Sequence, residues 1–236
     1  VDNVSAPQRT LLRLFILAAL IALVVVFIQE PRPGPKAIDG SIDFTGWSFE
    51  DDGPVKLTGE WRIYRNEFID PAAIASQPAT ERELITIPTV EMQINKLVQQ
   101  IKGAEQHPTR LTLTLNLENL PEQPSTLWLH SFILPSATTY LTCGTPVSQT
   151  ILLSESGRPT LPIPQEVWSG AMGSFSQRSP SCHLVVHIAS LEFPSINVLD
   201  TWIGPDTSIR STLIWRYFNG LVTPCILLFV GFYHLA

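Results

Sequence analysis

Three consecutive acids, Glu50 to Asp52, form the densest group of chemistry-bearing side chains in the sequence. Grouped carboxylates could bind calcium or act as an acid and a base. Here they run directly into Gly53 and Pro54, and this is turn chemistry, because Asp initiates turns and Gly accepts a positive φ. No second acidic cluster in the sequence supplies the further oxygen ligands that calcium requires. We therefore interpret the acids as a solvent-facing turn.

The residues after this turn alternate as strands do. Val55 and Leu57 are apolar before Gly59, and Trp61 and Ile63 are apolar after it. Alternation at a period of two indicates strands with one buried face. The stretch is therefore predicted to be a framework hairpin capped by the acids.

Two histidines four residues apart, His183 and His187, follow Cys182 and suggest a metal site. On a strand, residues i and i+4 lie about 13 Å apart at roughly 3.3 Å per residue. They cannot share a zinc ion bonded at about 2 Å. We predict packed or solvent-facing histidines, with no metal and no other cofactor. No nucleophile elbow or phosphate-binding glycine loop is present, so no catalytic residue is assigned.

Aromatic residues supply the candidate ligand site. Trp128 and His130 point to the same side of a predicted strand, opposite Leu127 and Leu129. If the leucines face the core, Trp128 offers a stacking platform for the apolar face of a ligand. The alternative is that both faces are buried, under a second layer or a partner. Trp168, in a loop, is a further candidate for ligand binding.

Three cysteines are present, and two of them lie outside the apolar segments. Cys143 and Cys182 could form a disulfide in an oxidising compartment, whereas Cys225 falls within an apolar run. The alternative is two separate buried thiols, because the sequence does not show the two to be neighbours.

Strand patterns dominate the middle of the chain. Leu111 to Leu117 alternates strictly between Leu and polar residues, which predicts one buried and one solvent-exposed face. Further strands are predicted at Ser125–Leu134, His183–Ala189 and Asn197–Ile203, and Thr138–Val147 is predicted to be a strand, a Gly turn and a second strand. Pro and Gly punctuate them at short spacing, which is typical of an all-β sandwich. One helix is predicted at Thr89–Lys102 from its apolar spacing.

Composition indicates a membrane-associated chain that does not bind nucleic acid. Charged residues make up only 15%, the net charge is −6 and mean hydropathy is +0.17. No Lys/Arg-rich run occurs, which argues against a nucleic-acid partner.

Two apolar segments flank the strand-rich region. Residues 11–28 are long enough to span a bilayer, and the positive charges before their centre place residues 1–10 in the cytoplasm. A cleaved signal peptide is the alternative, although no A-x-A-like site follows. Residues 213–236 form the second predicted span. Between them lie a Pro-rich stalk, 29–40, and a β domain, 41–210. The chain ends within the second span, so we expect a fragment of a longer protein, and the alternative is a C-terminal anchor.

A pattern from Trp47 to Tyr64, W-x-F-x-x-x-G-P-V-x-L-x-G-E-W-x-x-Y, gives a family resemblance. It resembles the start of the extracytoplasmic domain of bacterial seven-transmembrane receptors with diverse intracellular signalling modules. Shorter matches follow in order at Ile85–Pro88, at Thr201–Ile209 and in the apolar segment near Tyr233 and His234. The resemblance implies a jelly roll similar to carbohydrate-binding modules. A seven-helix bundle and a cytoplasmic output domain, such as a diguanylate cyclase or histidine kinase, would follow it.

Three functions are consistent with the sequence. The first is the sensor portion of a signalling receptor in a bacterial inner membrane, with its β domain in the periplasm or outside. Its expected partners are a small molecule, with a carbohydrate as one option, or a periplasmic protein, together with membrane lipid and a second copy in a homodimer. The alternative is a membrane-tethered binding or scaffold module without signalling output. An extracytoplasmic hydrolase ranks last, because no paired carboxylates or nucleophile and base are evident.

Overall fold

The computed structural model describes residues 33–76, 83–87, 109–121, 125–130, 136–144, 149–160, 171–176, 179, 181–190 and 200–214. The described part from Pro35 onward belongs to one compact unit. No helix in these ranges combines the length and apolar character needed to cross a membrane. The predicted span 11–28, all but the first two residues of 213–236, and the helix predicted at Thr89–Lys102 lie outside the described residues.

Eleven strands occupy most of the described residues. They are β1 Ser41–Asp43, β2 Val55–Lys56, β3 Gly59–Arg65, β4 Glu83–Ile87, β5 Thr109–Glu118, β6 Ser125–His130, β7 Ser136–Cys143, β8 Gln149–Ser156, β9 Ala171–Phe175, β10 Ser181–Ser190 and β11 Asp200–Gly204. A 3₁₀ helix spans Pro71–Ser76, and an α-helix, α1, covers residues 206–214.

The strands form two sheets that share one core. The larger sheet has the order β4-β3-β5-β10-β7-β8, with β1 also pairing β5, and the smaller sheet has the order β2-β11-β6-β9. One cluster of buried side chains joins them, with Leu113 and Leu184 from the larger sheet and Leu127 and Ile203 from the smaller. The predicted all-β sandwich is therefore confirmed.

The polar face of β5 differs from the prediction that its alternating sequence gave. Leu113 and its fellow leucines face the core with no exposed surface, as expected. The opposite face of β5 is also buried, since Thr112 is 0% and Thr114 is 3% exposed. The prediction of a solvent-exposed polar face is wrong here. Thr112 is hydrogen-bonded to the backbone of the segment after β3, which lies over this face.

The predicted hairpin around Gly59 is also corrected. β2 pairs only with β11 among the described strands, whereas β3 pairs with β4 and β5, so the chain passes from one sheet to the other at Leu57 and Thr58. Gly59 has a φ of +114°, and a Cβ built there would lie 2.7 Å from the amide nitrogen of Ala37. Glycine is needed because the backbone is left-handed and a second chain segment crosses it.

The acidic stretch forms a turn, as predicted. The Asp52 carboxylate accepts a hydrogen bond from the Ser48 amide at 3.1 Å, and the Asp52 amide donates to the Ser48 carbonyl at 2.8 Å. The Trp47 indole donates to the Gly53 carbonyl at 3.1 Å, which closes the turn. The carboxylate of Asp52 is thus engaged in holding the local backbone.

The chain enters and leaves the described sandwich at the same end. We call this the entry end, and β5 also finishes there, at Glu118. Ala37 bridges to Gly59 at the start of β3, and β3 runs antiparallel to β5, so Ala37 lies at the entry end. Ala37 is buried in the core, so the domain begins four residues before the predicted boundary at Ser41.

Gly204, the last residue of β11, lies at the entry end too. The amide of Phe44 donates to the Glu118 carbonyl at 2.9 Å, and the ring centre of Phe44 is 5.9 Å from that of Phe49. A Cβ built on Gly204 would lie 3.7 Å from the Phe49 ring. These contacts connect the end of β11 to the end of β5.

Helix α1 follows β11 with one residue between them, Pro205. The amide of Ile209 donates to the Pro205 carbonyl at 3.0 Å, and the Ile209 side chain is buried. On the exposed side, Arg210 pairs with Asp206 at 2.7 Å. The helix is therefore packed against the domain from its first turn.

Candidate functional site

The outer face of the smaller sheet carries Lys56, Trp202 and Trp128 in one register row. Cross-strand register places Lys56 on β2 beside Trp202 on β11, Trp202 beside Trp128 on β6, and Trp128 beside Met172 on β9. We call this the tryptophan row. The neighbouring register row points into the core and contains Val55, Ile203, Leu127 and Gly173.

Trp128 is placed on the outer face but is largely covered. Leu127 is 2% exposed and faces the core, which is the orientation that the stacking-platform hypothesis required. Trp128 itself is only 7% exposed, so little of its ring is open for a ligand. This agrees better with the alternative in which both faces of the strand are buried. Trp128 therefore borders the candidate site and offers a ligand little ring surface on which to stack.

The other two candidate residues are only partly described. His130 lies opposite Asp200 at the ends of β6 and β11, two residues beyond the tryptophan row on each strand. Its side chain and the whole of Trp168 lie outside the described residues.

Trp202 is the aromatic residue that sequence reasoning missed. It is partly exposed, and the Lys56 ammonium lies 5.9 Å from its ring centre, within reach of a cation–π contact. The signal was present, because Trp202 stands between the apolar residue Ile203 and the buried Thr201 in a strand pattern. The alternation that places Trp128 opposite the core-facing leucines also places Trp202 on the face opposite Ile203.

Hydroxyl groups lie two residues along the strands from the tryptophan row, on the same face. The Thr126 and Ser174 hydroxyls are 3.0 Å apart across β6 and β9, and Ser174 is exposed. The face thus offers an aromatic ring, a cation and a hydroxyl acceptor or donor. An aromatic ring stacks on the apolar face of a ligand, and the polar groups orient it.

The outer face of the larger sheet is different, because residues 66–76 lie across it. We call these residues the strap. The Thr112 hydroxyl donates to the Glu67 carbonyl at 2.8 Å and accepts from the Ile69 amide at 3.1 Å. The Thr142 hydroxyl donates to the Pro71 carbonyl at 3.3 Å. The sheet thus holds the strap by its backbone.

His187 holds the same strap. Its Nε2 lies 2.8 Å from the Ile69 carbonyl, so this nitrogen carries the donated proton. The imidazole stacks on Phe68, with ring centres 4.8 Å apart, and meets the edge of Tyr140 at 5.2 Å. Burial lowers the pKa of His187, while the Ile69 carbonyl and Asp70 act in the opposite direction. His187 is thus a packed residue, which is one of the two alternatives that the sequence left open.

A disulfide joins Cys143 to Cys182. The two residues are register partners on β7 and β10, with their Cα atoms 4.1 Å apart. That spacing is close to the roughly 4.5 Å of opposed residues in a non-hydrogen-bonded antiparallel pair. The bridge lies at the entry end, because Cys182 is also the partner of Leu117 near the end of β5.

Among the described residues, no group of three or more His, Cys, Asp or Glu side chains could hold a metal ion. His183 lies four residues from His187 on β10, next to Asn116 and Thr142 in the register.

No protein-family model matches the sequence, and no curated protein matches it. Solved structures with a partial likeness exist. A Faecalibacterium prausnitzii β-glucuronidase is 14% identical with a TM-score of 0.38, and the match covers 57% of this chain and 20% of that one. An uncultured Clostridium sp. β-glucuronidase is 11% identical with a TM-score of 0.39, covering 65% of this chain and 29% of that one.

A β-glucosidase from Kluyveromyces marxianus is also 11% identical, with a TM-score of 0.29 over 70% of this chain and 18% of that one. The chain therefore spans less than a third of the length of each of these proteins.

Proposed function

We propose that this chain is the extracytoplasmic, ligand-binding part of a bacterial membrane signalling receptor. The observation that carries the proposal is that Ala37 and Gly204 both lie at the entry end of the sandwich. The apolar segment 11–28 precedes Ala37 in the sequence, and the apolar segment 213–236 follows Gly204. Both can then enter one membrane, with the domain standing on a single side of it.

The junction between β11 and α1 supports transmission of a signal. Only Pro205 separates strand from helix, and Ile209 is buried against the domain. A change in β11 would therefore move the helix without being absorbed by a flexible linker. Signalling requires that a ligand favour one arrangement of domain and helix over another.

The disulfide supports a location outside the cytoplasm. Disulfides persist in oxidising compartments such as the periplasm and are rare in the cytosol. The Cys143–Cys182 bridge joins neighbouring strands of the larger sheet, so it is built into the framework of the domain.

The tryptophan row supports a ligand with a ring that has one apolar face, and a carbohydrate is the leading class. The chain passes repeatedly between the two sheets, from β5 to β6 to β7 and from β8 to β9 to β10 to β11. Repeated crossing of this kind is the arrangement expected of a jelly roll. Trp202 would stack on the ligand, and Lys56 and Ser174 would contact its polar groups.

Calorimetric titration of the full chain with a panel of neutral and acidic oligosaccharides tests the ligand proposal. We expect at least one saccharide to bind, and Trp202→Ala to weaken that binding about tenfold, since truncating a tryptophan at the centre of a binding site commonly costs more than about 1 kcal/mol and about 1.4 kcal/mol is a tenfold change. Leu152→Ala, at an exposed apolar residue on β8 of the larger sheet, is the control and leaves binding unchanged. Equal affinity in Trp202→Ala and wild type would reject the tryptophan row as the site.

The reading frame beyond Ala236 tests the signalling part. Further hydrophobic spans followed by an output domain are expected. A stop codon directly after Ala236 would instead leave a membrane-tethered binding module as the function.

A further inference from the structure

Thr112, Thr142 and His187 of the larger sheet all bond to the strap, and His187 can change its charge near neutral pH. Thr112 and Thr142 are hydroxyls whose hydrogen bonds to the strap do not depend on pH. The imidazole of His187 contacts the Ile69 carbonyl and is 6% exposed. Histidine is the side chain whose ordinary titration falls between pH 5 and 8.

We propose that His187 is a proton-operated latch, which holds the strap on the sheet when neutral and releases it when charged. The proposal stands on position as well as chemistry. His187 lies on β10, the strand at the centre of the larger sheet, directly beneath the strap. Its bond reaches the backbone of Ile69, whose amide is in turn bonded to Thr112.

Two aromatic rings enclose the imidazole of His187 and keep it from water, and removal from water disfavours its charged form. Phe68 from the strap stacks on the imidazole, and the phenol ring of Tyr140 meets it from β7. Burial and the nearby Glu155 raise the pKa of Tyr140, so this phenol stays neutral through the range in which histidine titrates. A positive charge on the imidazole would therefore lie between the rings of Phe68 and Tyr140.

Charged groups face the imidazole from several elements. Asp70 on the strap favours the imidazolium. Arg110 on β5 lies 5.8 Å from the centre of the Phe68 ring, the ring that stacks on His187. Glu155 on β8 belongs to the same register row, two strands away through Thr138. His183 lies on the same strand, four residues from His187.

The direction of the pH effect follows from linkage. Burial lowers the pKa of His187 in the closed state, whereas in the open state the imidazole meets water and titrates near its ordinary value of 6.5. As the pH falls below about 6.5, the open state therefore takes up a proton first. Each unit by which the two pKa values differ changes the ratio of open to closed by about tenfold. The strap is held at neutral pH and loosened by acid.

Release of the strap would uncover a defined surface. Ile69 and Ile74 on the strap and Val185 on β10 form a small apolar cluster separate from the main core. Opening exposes these three side chains while the main core stays closed. The latch thus converts acidification into a newly accessible apolar patch beside Thr112.

Hydrogen–deuterium exchange on the full chain at pH 7.5 and pH 5.0, corrected for intrinsic rates, tests the latch. In wild type, amides of the strap should exchange faster at pH 5.0, and the Ile69 amide reports this most directly. Amides of β5 and β10 should keep their protection. A rise of equal size in β5 and β10 would indicate global unfolding and overturn the proposal, as would strap amides whose exchange is independent of pH.

Variants separate His187 from other titrating groups. His187→Gln keeps a donor for the Ile69 carbonyl but cannot become charged, so the acid-induced rise should disappear. His183→Gln, four residues away on the same strand, is the matched control and should keep the rise. A rise that persists in His187→Gln, or vanishes in His183→Gln, overturns the latch.

Asp70→Asn provides a test that does not alter the buried ring. Asn can still accept the hydrogen bond that the Ala72 amide donates to Asp70 at 3.0 Å, so the local turn is retained. Loss of the carboxylate removes a group that favours the charged imidazole in the closed state. The acid-induced rise in strap exchange should be larger than in wild type, and an unchanged or smaller rise contradicts the latch.

Discussion

The two outer faces of this sandwich differ in the side chains that they carry and in what covers them. The face of the larger sheet is rich in Thr and His, yet it is buried, because its polar groups bond to the backbone of the strap. The face of the smaller sheet carries Trp128, Trp202 and Lys56, large side chains at neighbouring positions along one register row. Polarity alone therefore does not show which face meets water. Hydroxyls and an imidazole allow a chain segment to cover a sheet, since they satisfy its backbone groups.

The largest effect is expected from the framework of the larger sheet. Replacing Cys143 and Cys182 by Ala removes a bridge between residues 39 apart in the sequence. Chain-entropy reasoning gives a loss of about 4 kcal/mol in the free energy of unfolding. Urea denaturation of the full chain measures it, with Cys225→Ala as the control. A loss below about 1 kcal/mol would show that the bridge does not hold the sheet together.

The next largest effect is the difference in stability between variants of Trp128 and Trp202. Trp128 is almost fully buried, so Trp128→Ala should cost about 3 kcal/mol of stability. Trp202 is only partly buried, and Trp202→Ala should cost clearly less stability while weakening ligand binding. Thermal unfolding of both variants checks this difference. If Trp202→Ala destabilised the domain as much as Trp128→Ala, the row would be a packing layer instead of a ligand face.

A smaller effect tests the covered face. Thr112→Val leaves the Glu67 carbonyl and the Ile69 amide without their partner, and should cost about 2 kcal/mol. Thr114→Val makes the same change two residues away, at a hydroxyl that is not among the described strap contacts. It should cost much less. Equal unfolding midpoints for the two variants in urea would contradict the role of Thr112 in holding the strap.

The smallest effect concerns the cation of the tryptophan row. Lys56→Met keeps most of the side-chain length over Trp202 but removes the charge, and should change stability by less than about 1 kcal/mol. Its main consequence should be weaker binding of acidic saccharides relative to neutral ones. A matched loss for both classes in calorimetry would mean that the Lys56 charge plays no part in recognition.

Sequence patterns predicted the strands better than their surroundings. The strict alternation of leucines located β5, and the run from His183 to Ala189 located β10. The hairpin at Gly59 failed because β2 and β3 alternate as a pair of adjacent strands would, yet they belong to different sheets. Local periodicity carries no information on which sheet a strand joins.

The candidate sites depended on long-range contacts that periodicity does not report. Thr112 has the pattern of a solvent-facing residue, and only the strap, more than 40 residues earlier, makes it a buried one. The pairing of Cys143 with Cys182 depends on the register between β7 and β10. Trp202, in contrast, could have been found from the sequence, because its strand shows the same parity as that of Trp128.

The most direct test of the account is the membrane topology of the chain. A green fluorescent protein fused before Val1 and an alkaline phosphatase fused after Arg210 report the two sides of a bacterial inner membrane. The account predicts a fluorescent N-terminal fusion and an active phosphatase, while phosphatase fused after residue 10 stays inactive. An inactive phosphatase after Arg210, in a protein that is otherwise stably produced, would place the β domain in the cytoplasm and contradict the receptor proposal.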